Sequence, residues 1–218
     1  MTLNQKQAIG LSKLLVLIAV LISAWAWPSI ADDARIAIHF DIQGNADDYA
    51  SKTFGLLLMP AIMLGFSTLF SFLPSLEPRK FNLEESRSSY LGVWFVLLSF
   101  FLYIHLSIVG LEVGLLSNAL MGFPVVMSVL FFLLGRQIRS AKSNFFIGVR
   151  TPWTLSSDYA WKQANYQAGT LFMGLGILGA ILGFLRGQPA ITWIIYGAIG
   201  IAIYAVVASF FYWKSDPK

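Results

Sequence analysis

Six apolar stretches, each about as long as a lipid bilayer is thick, constrain this chain more than any other feature. A helix rises 1.5 Å per residue, so crossing about 30 Å of hydrocarbon takes about 20 mostly apolar residues. The stretches run over residues 14–30, 54–73, 90–111, 113–134, 166–185 and 190–213, the third and fourth separated only by Glu112. Of 218 residues, 57% are hydrophobic and 12% charged, about half the charge of an ordinary soluble domain. A water-soluble fold of this size could not hide so much apolar surface. Backbone groups in lipid must pair internally, which leaves helices or a closed barrel, and the short alternating segments of a barrel are absent. The expected fold is all-α: a polytopic membrane protein with six transmembrane helices.

Basic residues orient such a chain, because short cytoplasmic loops are enriched in them. The amino end holds Lys6 and Lys13; the second loop holds Arg79, Lys80 and Arg87. The fourth loop holds Arg136, Arg139, Lys142, Arg150 and Lys162, and the tail adds Lys214 and Lys218. Only Arg35, Lys52 and Arg186 remain for the odd-numbered loops, so twelve of the 15 basic residues fall on one side. Both ends are expected in the cytoplasm. Lys13, the apolar run behind it and Ser29-Ile30-Ala31 resemble a signal peptide with its cleavage site. The run is longer than usual for one and ends on Trp25, Trp27 and Pro28, so it is read as a retained helix.

The chain has no cysteine and two histidines, which excludes thiolate chemistry and leaves little for a transition-metal cage. The net charge of +4 is explained by membrane loops rather than by direct nucleic-acid binding. No cofactor is expected.

The first loop, residues 31–53, carries Asp32, Asp33, Asp41, Asp47 and Asp48 against Arg35 and Lys52. Ile36, Ile38, Phe40 and Ile42 alternate with smaller or polar residues, the pattern of a short extended segment, and Gly44-Asn45 then makes a tight turn. His39, Asp41, Asp47 and Asp48 lack the ordered ligand ladder of a calcium loop. A small folded cap over the helix ends is the simpler reading.

The fourth loop, residues 135–165, is the most informative. Arg136, Arg139 and Lys142 are three apart on a continuation of the fourth helix, where they suit lipid phosphates. The segment from Asn144 to Thr154 then mixes bulky apolar residues with turn formers and Arg150, unlike a solvated loop, so it should lie on the membrane surface or tuck between helix ends. Pro152 turns the chain at Thr151. Ser156 or Ser157 caps the next helix with Asp158 in its first turn, and Trp161, Asn165 and Gly169 share one stripe of it. Arg150 is placed to meet Asp158, a carbonyl terminus or an acidic group of a ligand.

These residues carry a resemblance. Asn144, Gly148, Val149, Arg150, Thr151, Pro152, Trp153, Thr154, Trp161, Asn165 and Gly169 resemble the signature of the SdpI family, with Val149 in place of the usual Ile. Ala164 and Asn165 stand where Thr-His is common, so no proton-transfer role passes to that position. In the first loop His39, Phe40, Gly44, Asp47 and Lys52 are similar to a small membrane domain found with the same family. There Asp41 replaces Asn and Ala37 replaces Pro. The resemblance implies a division at residues 1–90, two helices with the acidic extracytoplasmic loop, and 91–218, a four-helix SdpI-like region. It implies immunity to a membrane-active peptide toxin met on the outer side, and sensing of that peptide by sequestering a cytoplasmic transcriptional repressor. His39, Asp41, Gly44, Asp47 and Lys52 outside, and Asn144, Gly148, Arg150, Thr151, Pro152, Trp153, Thr154, Trp161 and Asn165 inside, become candidate ligand or partner contacts.

Within the spans, His105 is the one ionisable side chain well inside, a functional suspect whose partner would be Tyr103, Ser107 or a neighbouring span. Gly176, Gly179 and Gly183 line one face of the fifth span, and Gly197, Gly200 and Ala208 one face of the sixth, suggesting that these two helices pack closely. Pro60 and Pro124 are expected to kink the second and fourth spans. A small transporter or channel is the alternative function. An enzyme is not expected, since no nucleophile, acid–base pair or metal set gathers on one side.

Overall fold

The computed structural model describes residues 4–43, 45–118, 120 and 122–217. Among them six helices are long and apolar enough to cross a membrane. Helix α1 (Gln5–Ala26) starts at Asn4, whose side chain accepts from the Gln7 N–H while the Gln7 side chain accepts from that of Asn4. This reciprocal cap satisfies two of the donors that every helix start leaves open. A short turn at Trp27–Ser29, with Pro28 in its first positions, ends it. Strands β1 (Arg35–Phe40) and β2 (Ala46–Ser51) form an antiparallel hairpin, so the extended segment read from the alternating Ile and Phe residues is present as β1. Helix α2 (Lys52–Leu76) follows without a linker, then α3 (Lys80–Glu85), α4 (Arg87–Glu112), α5 (Phe123–Ser140), α6 (Pro152–Ser156), α7 (Asp158–Arg186) and α8 (Ala190–Lys214).

The fourth span differs from the expectation. It begins at Phe123, not at residue 113. Gly114 (φ 74°) and Gly122 (φ 76°) take the left-handed conformation, which glycine adopts without a Cβ penalty and which stops a helix. The apolar run between them therefore belongs to the connection. Pro124 does not kink the span either. It sits in the first turn, where its missing N–H has no intrahelical partner to lose.

The chain packs as two units, Met1–Ser71 with Leu97–Phe123, and Phe72–Val96 with Pro124–Lys218. In the first, Ala26, Ile30, Ile36, Leu56, Ile108 and Val109 form a buried cluster that joins α1, β1, α2 and α4. Gly55 lets β1 approach α2: a Cβ there would stand 2.6 Å from the Ile36 Cβ.

In the second unit, glycines bring α5 and α7 into backbone contact. A Cβ on Gly135 would meet the Gly169 carbonyl at 2.6 Å, and one on Gly176 the Ser128 carbonyl at 2.6 Å. Gly183 faces Pro124 and Val125. The glycine face of the fifth span thus also packs on the fourth, in addition to the expected close packing of the last two helices, which is present. Toward α8 it contributes Gly179, opposite Ile194, while Gly197 of α8 receives Leu175 and Gly200 has open space. Without a hydrophobic force between helices in lipid, such close approach is what holds them together.

Candidate functional site

Three polar arrangements stand out, one in the hairpin, one inside the first unit and one in the second. In the hairpin, His39 Nδ1 and Asp47 Oδ1 lie 2.6 Å apart, both well exposed. The Asp41 carboxylate accepts from the Asn45 N–H (2.8 Å) and side-chain amide (3.1 Å), closing the turn. Gly44, a candidate, lies outside the described residues. Lys52 is 4% exposed. Its ammonium donates to the Ile30 carbonyl (2.7 Å) and Asp32 (2.8 Å) and sits 5.0 Å from the centre of the Trp27 ring. It therefore ties the end of α1 to the start of α2, with the hairpin looped out between them. Among the described residues, no three His, Asp or Glu side chains are grouped to hold a metal.

The Lys52 ammonium, through its hydrogen bond first and its charge second, holds the Asp32 carboxyl below its ordinary pKa. A folded-state value below the unfolded one means that the contact stabilises fully above about pH 4 and is lost as pH falls through the folded value. Amide exchange across residues 35–51 is expected to quicken several-fold between pH 6 and pH 3, beyond the intrinsic pH effect. Asp32→Asn should exchange at that quicker rate already at pH 6. Wild-type behaviour in that variant would remove the ion pair from the account.

Inside the first unit, His105 is 1% exposed. Its Nε2 lies 3.0 Å from the Ala19 carbonyl and 3.2 Å from Ser23 Oγ, and Ser23 also donates to the Leu56 carbonyl at 2.7 Å. A carbonyl only accepts, so Nε2 carries the proton, and the partner comes from a neighbouring span rather than from α4 itself. Three helices meet at this one imidazole.

In the second unit, the segment from Ala141 to Ser157 folds as a hydrogen-bonded knot. Asn144 is fully buried; its Oδ1 accepts from the N–H groups of Phe146 (2.8 Å) and Ile147 (2.7 Å), and its amide donates to the Lys142 and Ile147 carbonyls. Arg150 is exposed, and its Nη1 donates to the Phe145 (3.0 Å) and Phe146 (2.9 Å) carbonyls. Of the partners expected for it, it takes carbonyls, but those of the loop rather than of a span end. Gly148 has φ 113° and packs against Asn165 Oδ1, which accepts from the Val149 N–H at 2.7 Å. Thr151 caps α6 in a reciprocal cap with Thr154, with Pro152 in the first turn, and its hydroxyl pairs with Ser209 of α8 at 3.0 Å. Trp153 packs edge-on against Phe210. Trp161 donates its indole N–H to the Ala141 carbonyl at 2.8 Å. Ser157, one of the two expected caps, caps α7 with Asp158 behind it.

Apart from Arg150 and Pro152, whose surfaces are open, the candidates here are at least half-buried and bonded mostly to one another. Their first effect is to hold one loop conformation.

A sequence profile of the SdpI/YfhL protein family matches residues 140–213, a range that encloses this knot, the whole of α7 and nearly all of α8. Over this region the chain is similar to the SdpI/YfhL family. A second profile, a domain of unknown function (DUF1648), matches residues 14–64, which encloses the hairpin and the Lys52 tie. The chain is also 28% identical over 166 residues to "Immunity protein SdpI" of Bacillus subtilis (strain 168), covering 75% of this chain and 77% of that protein. No solved structure matches it. The family expectation is met, and with the six helices it makes the chain a multi-pass membrane protein in contact with lipid.

Reading the sequence did not single out the residues that anchor this family region from below. Glu77 is 1% exposed, and its carboxylate accepts from the N–H groups of Phe145 and Arg79, both at 2.9 Å. Arg79 donates to Ser143 and to the Leu155 carbonyl, and Asn82 to the Ser143 carbonyl at 2.9 Å. The available signal was Glu77-Pro78-Arg79 directly behind an apolar span. A carboxylate there is costly to bury unless it accepts hydrogen bonds.

Proposed function

We propose that this chain is an immunity protein of a bacterial cytoplasmic membrane, protecting its cell against a membrane-active peptide toxin. The observation that carries the reading is the 28% identity, across three quarters of both chains, to the immunity protein SdpI. In this reading both termini and the 141–157 knot face the cytoplasm, and the acidic hairpin faces outward, where the peptide arrives. His39, Asp41 and Asp47 belong to the face that meets it, and buried Lys52 holds that face in place. Peptide binding moves the helices, and the knot, with Arg150 and Trp153 at its surface, changes what it offers a cytoplasmic repressor. Binding does this only through unequal affinities for two arrangements.

The test is expression in a toxin-sensitive host. The wild type should confer protection, and Arg150→Ala and Trp153→Ala, inserted at wild-type levels, should each lower it at least about tenfold in toxin dose. Full protection by both variants would remove the knot from the mechanism, and no protection by the wild type against a panel of secreted peptides would sink the immunity reading.

A further inference from the structure

A cleft of about 420 Å³ opens in the second unit between the end of α5, the start of α7 and α3. That volume is in the range of small-ligand sites. Arg139, in the last turn of α5, stacks 4.1 Å over the Tyr166 ring and donates to its hydroxyl at 2.6 Å. Tyr166 stands where α7 passes from its polar first turns into the glycine-rich apolar run that starts at Gly169. Arginine and tyrosine paired at span ends mark the level of lipid head groups.

The charge on the cleft wall is mixed. Arg139, Lys142 and Lys162 supply three cations; Glu85 and Asp158 supply two carboxylates. Lys142 and Glu85 are half-exposed and only 3.9 Å apart, a contact worth little in water. Among the described residues neither Lys162 nor Asp158 has an ion-pair partner. A purely anionic ligand would be attracted by the lysines and repelled by the carboxylates. A molecule that carries a phosphate and a primary ammonium a few bonds apart answers both. The phosphate takes charge-assisted bonds from the basic side chains, and the ammonium donates N–H bonds to a carboxylate. A quaternary ammonium has no N–H to donate. The Trp161 indole N–H is already spent on Ala141, so its ring offers the cleft an apolar wall beside these charges.

We propose that this cleft binds the head group of a phosphoethanolamine lipid at the membrane surface, with Lys142, Lys162 and Arg139 on the phosphate and Asp158 on the amine. The site is independent of the immunity reading.

The test uses the whole protein in mild detergent, titrated with dioctanoyl lipids of ethanolamine, choline and glycerol head group and followed by native mass spectrometry. Saturable binding of the ethanolamine lipid is expected, at least about tenfold tighter than either of the others. The double variant Lys142→Gln with Lys162→Gln, both exposed side chains, should weaken it about tenfold. Asp158→Asn should abolish the preference for ethanolamine over choline while retaining binding. Lys13→Gln with Lys214→Gln, which removes two exposed charges outside the cleft, should do neither. Equal affinity for all three lipids, tighter binding of the glycerol lipid, or equal losses in the two double variants would overturn the proposal. Soluble phosphoethanolamine binding as tightly as the lipid would overturn its lipid half and assign the cleft to a free phosphoamine.

Discussion

Asn144→Ala is expected to lower stability by about 3 kcal/mol and to open the segment between the fourth and fifth spans to protease. The side chain is fully buried and makes four hydrogen bonds to the backbone of its own loop. Alanine leaves the Phe146 and Ile147 N–H groups without their acceptor, and Ile147 is itself only 4% exposed, so water does not replace it. A buried donor left unsatisfied costs about 1–3 kcal/mol, and two are affected here. Asn144→Asp keeps the accepting oxygen and loses the two donations, so it should fall between. Thermal unfolding in detergent measures the loss, and tryptic cleavage at Lys142 and Arg150 reports the opening. An Asn144→Ala protein that melts with the wild type and resists trypsin equally would mean that the loop is held by its flanking helices alone.

Gly148→Ala is expected to cost about 3 kcal/mol by a different route. At φ 113° an L side chain is strained by about 1–3 kcal/mol whatever the space around it. Here there is no space either: the new Cβ would run into Asn165 Oδ1, with Trp161 Cζ2 next at 3.3 Å. Moving Asn165 aside breaks its bond to the Val149 N–H. The two contributions separate in a double variant. Adding Asn165→Ala to Gly148→Ala relieves the collision and leaves the backbone strain, so it should recover part of the loss and no more. Complete recovery would show that backbone strain contributes nothing; no loss in the single variant would contradict the backbone conformation at Gly148.

How much of this was readable from the chain depends on the range over which each feature is set. The spans are set locally: about 20 apolar residues must lie in lipid wherever their neighbours are, and five of the six were placed to within nine residues at either end. The fourth was misplaced because hydropathy counts Val113, Leu115 and Leu116 as readily as span residues, and does not register that Gly114 and Gly122 turn the backbone. The hairpin was legible in part, since alternation and a turn pair are local signals. That its Lys52 ties two helices was not, because Ile30 and Asp32 lie about twenty residues away in sequence. The glycine stripe of the fifth span was legible as a packing face toward the sixth, but its second partner, the fourth, was not, because a small residue invites close approach without naming every helix that approaches.

The same division separates what the chain decided alone from what only its folding decided. Length and apolarity of the segments, the caps at Asn4, Thr151 and Ser157, and the motif residues themselves follow from neighbours in sequence, where hydrogen bonds and lipid transfer act over a few residues. Which oxygen accepts from which amide does not. Asn144 and Asn165 read on paper as motif residues open to a ligand or partner, and Glu77 as an ordinary polar side chain. Their burial and their partners exist only after separate helices have met, because a buried polar group must be satisfied by whatever the packing brings within about 3 Å.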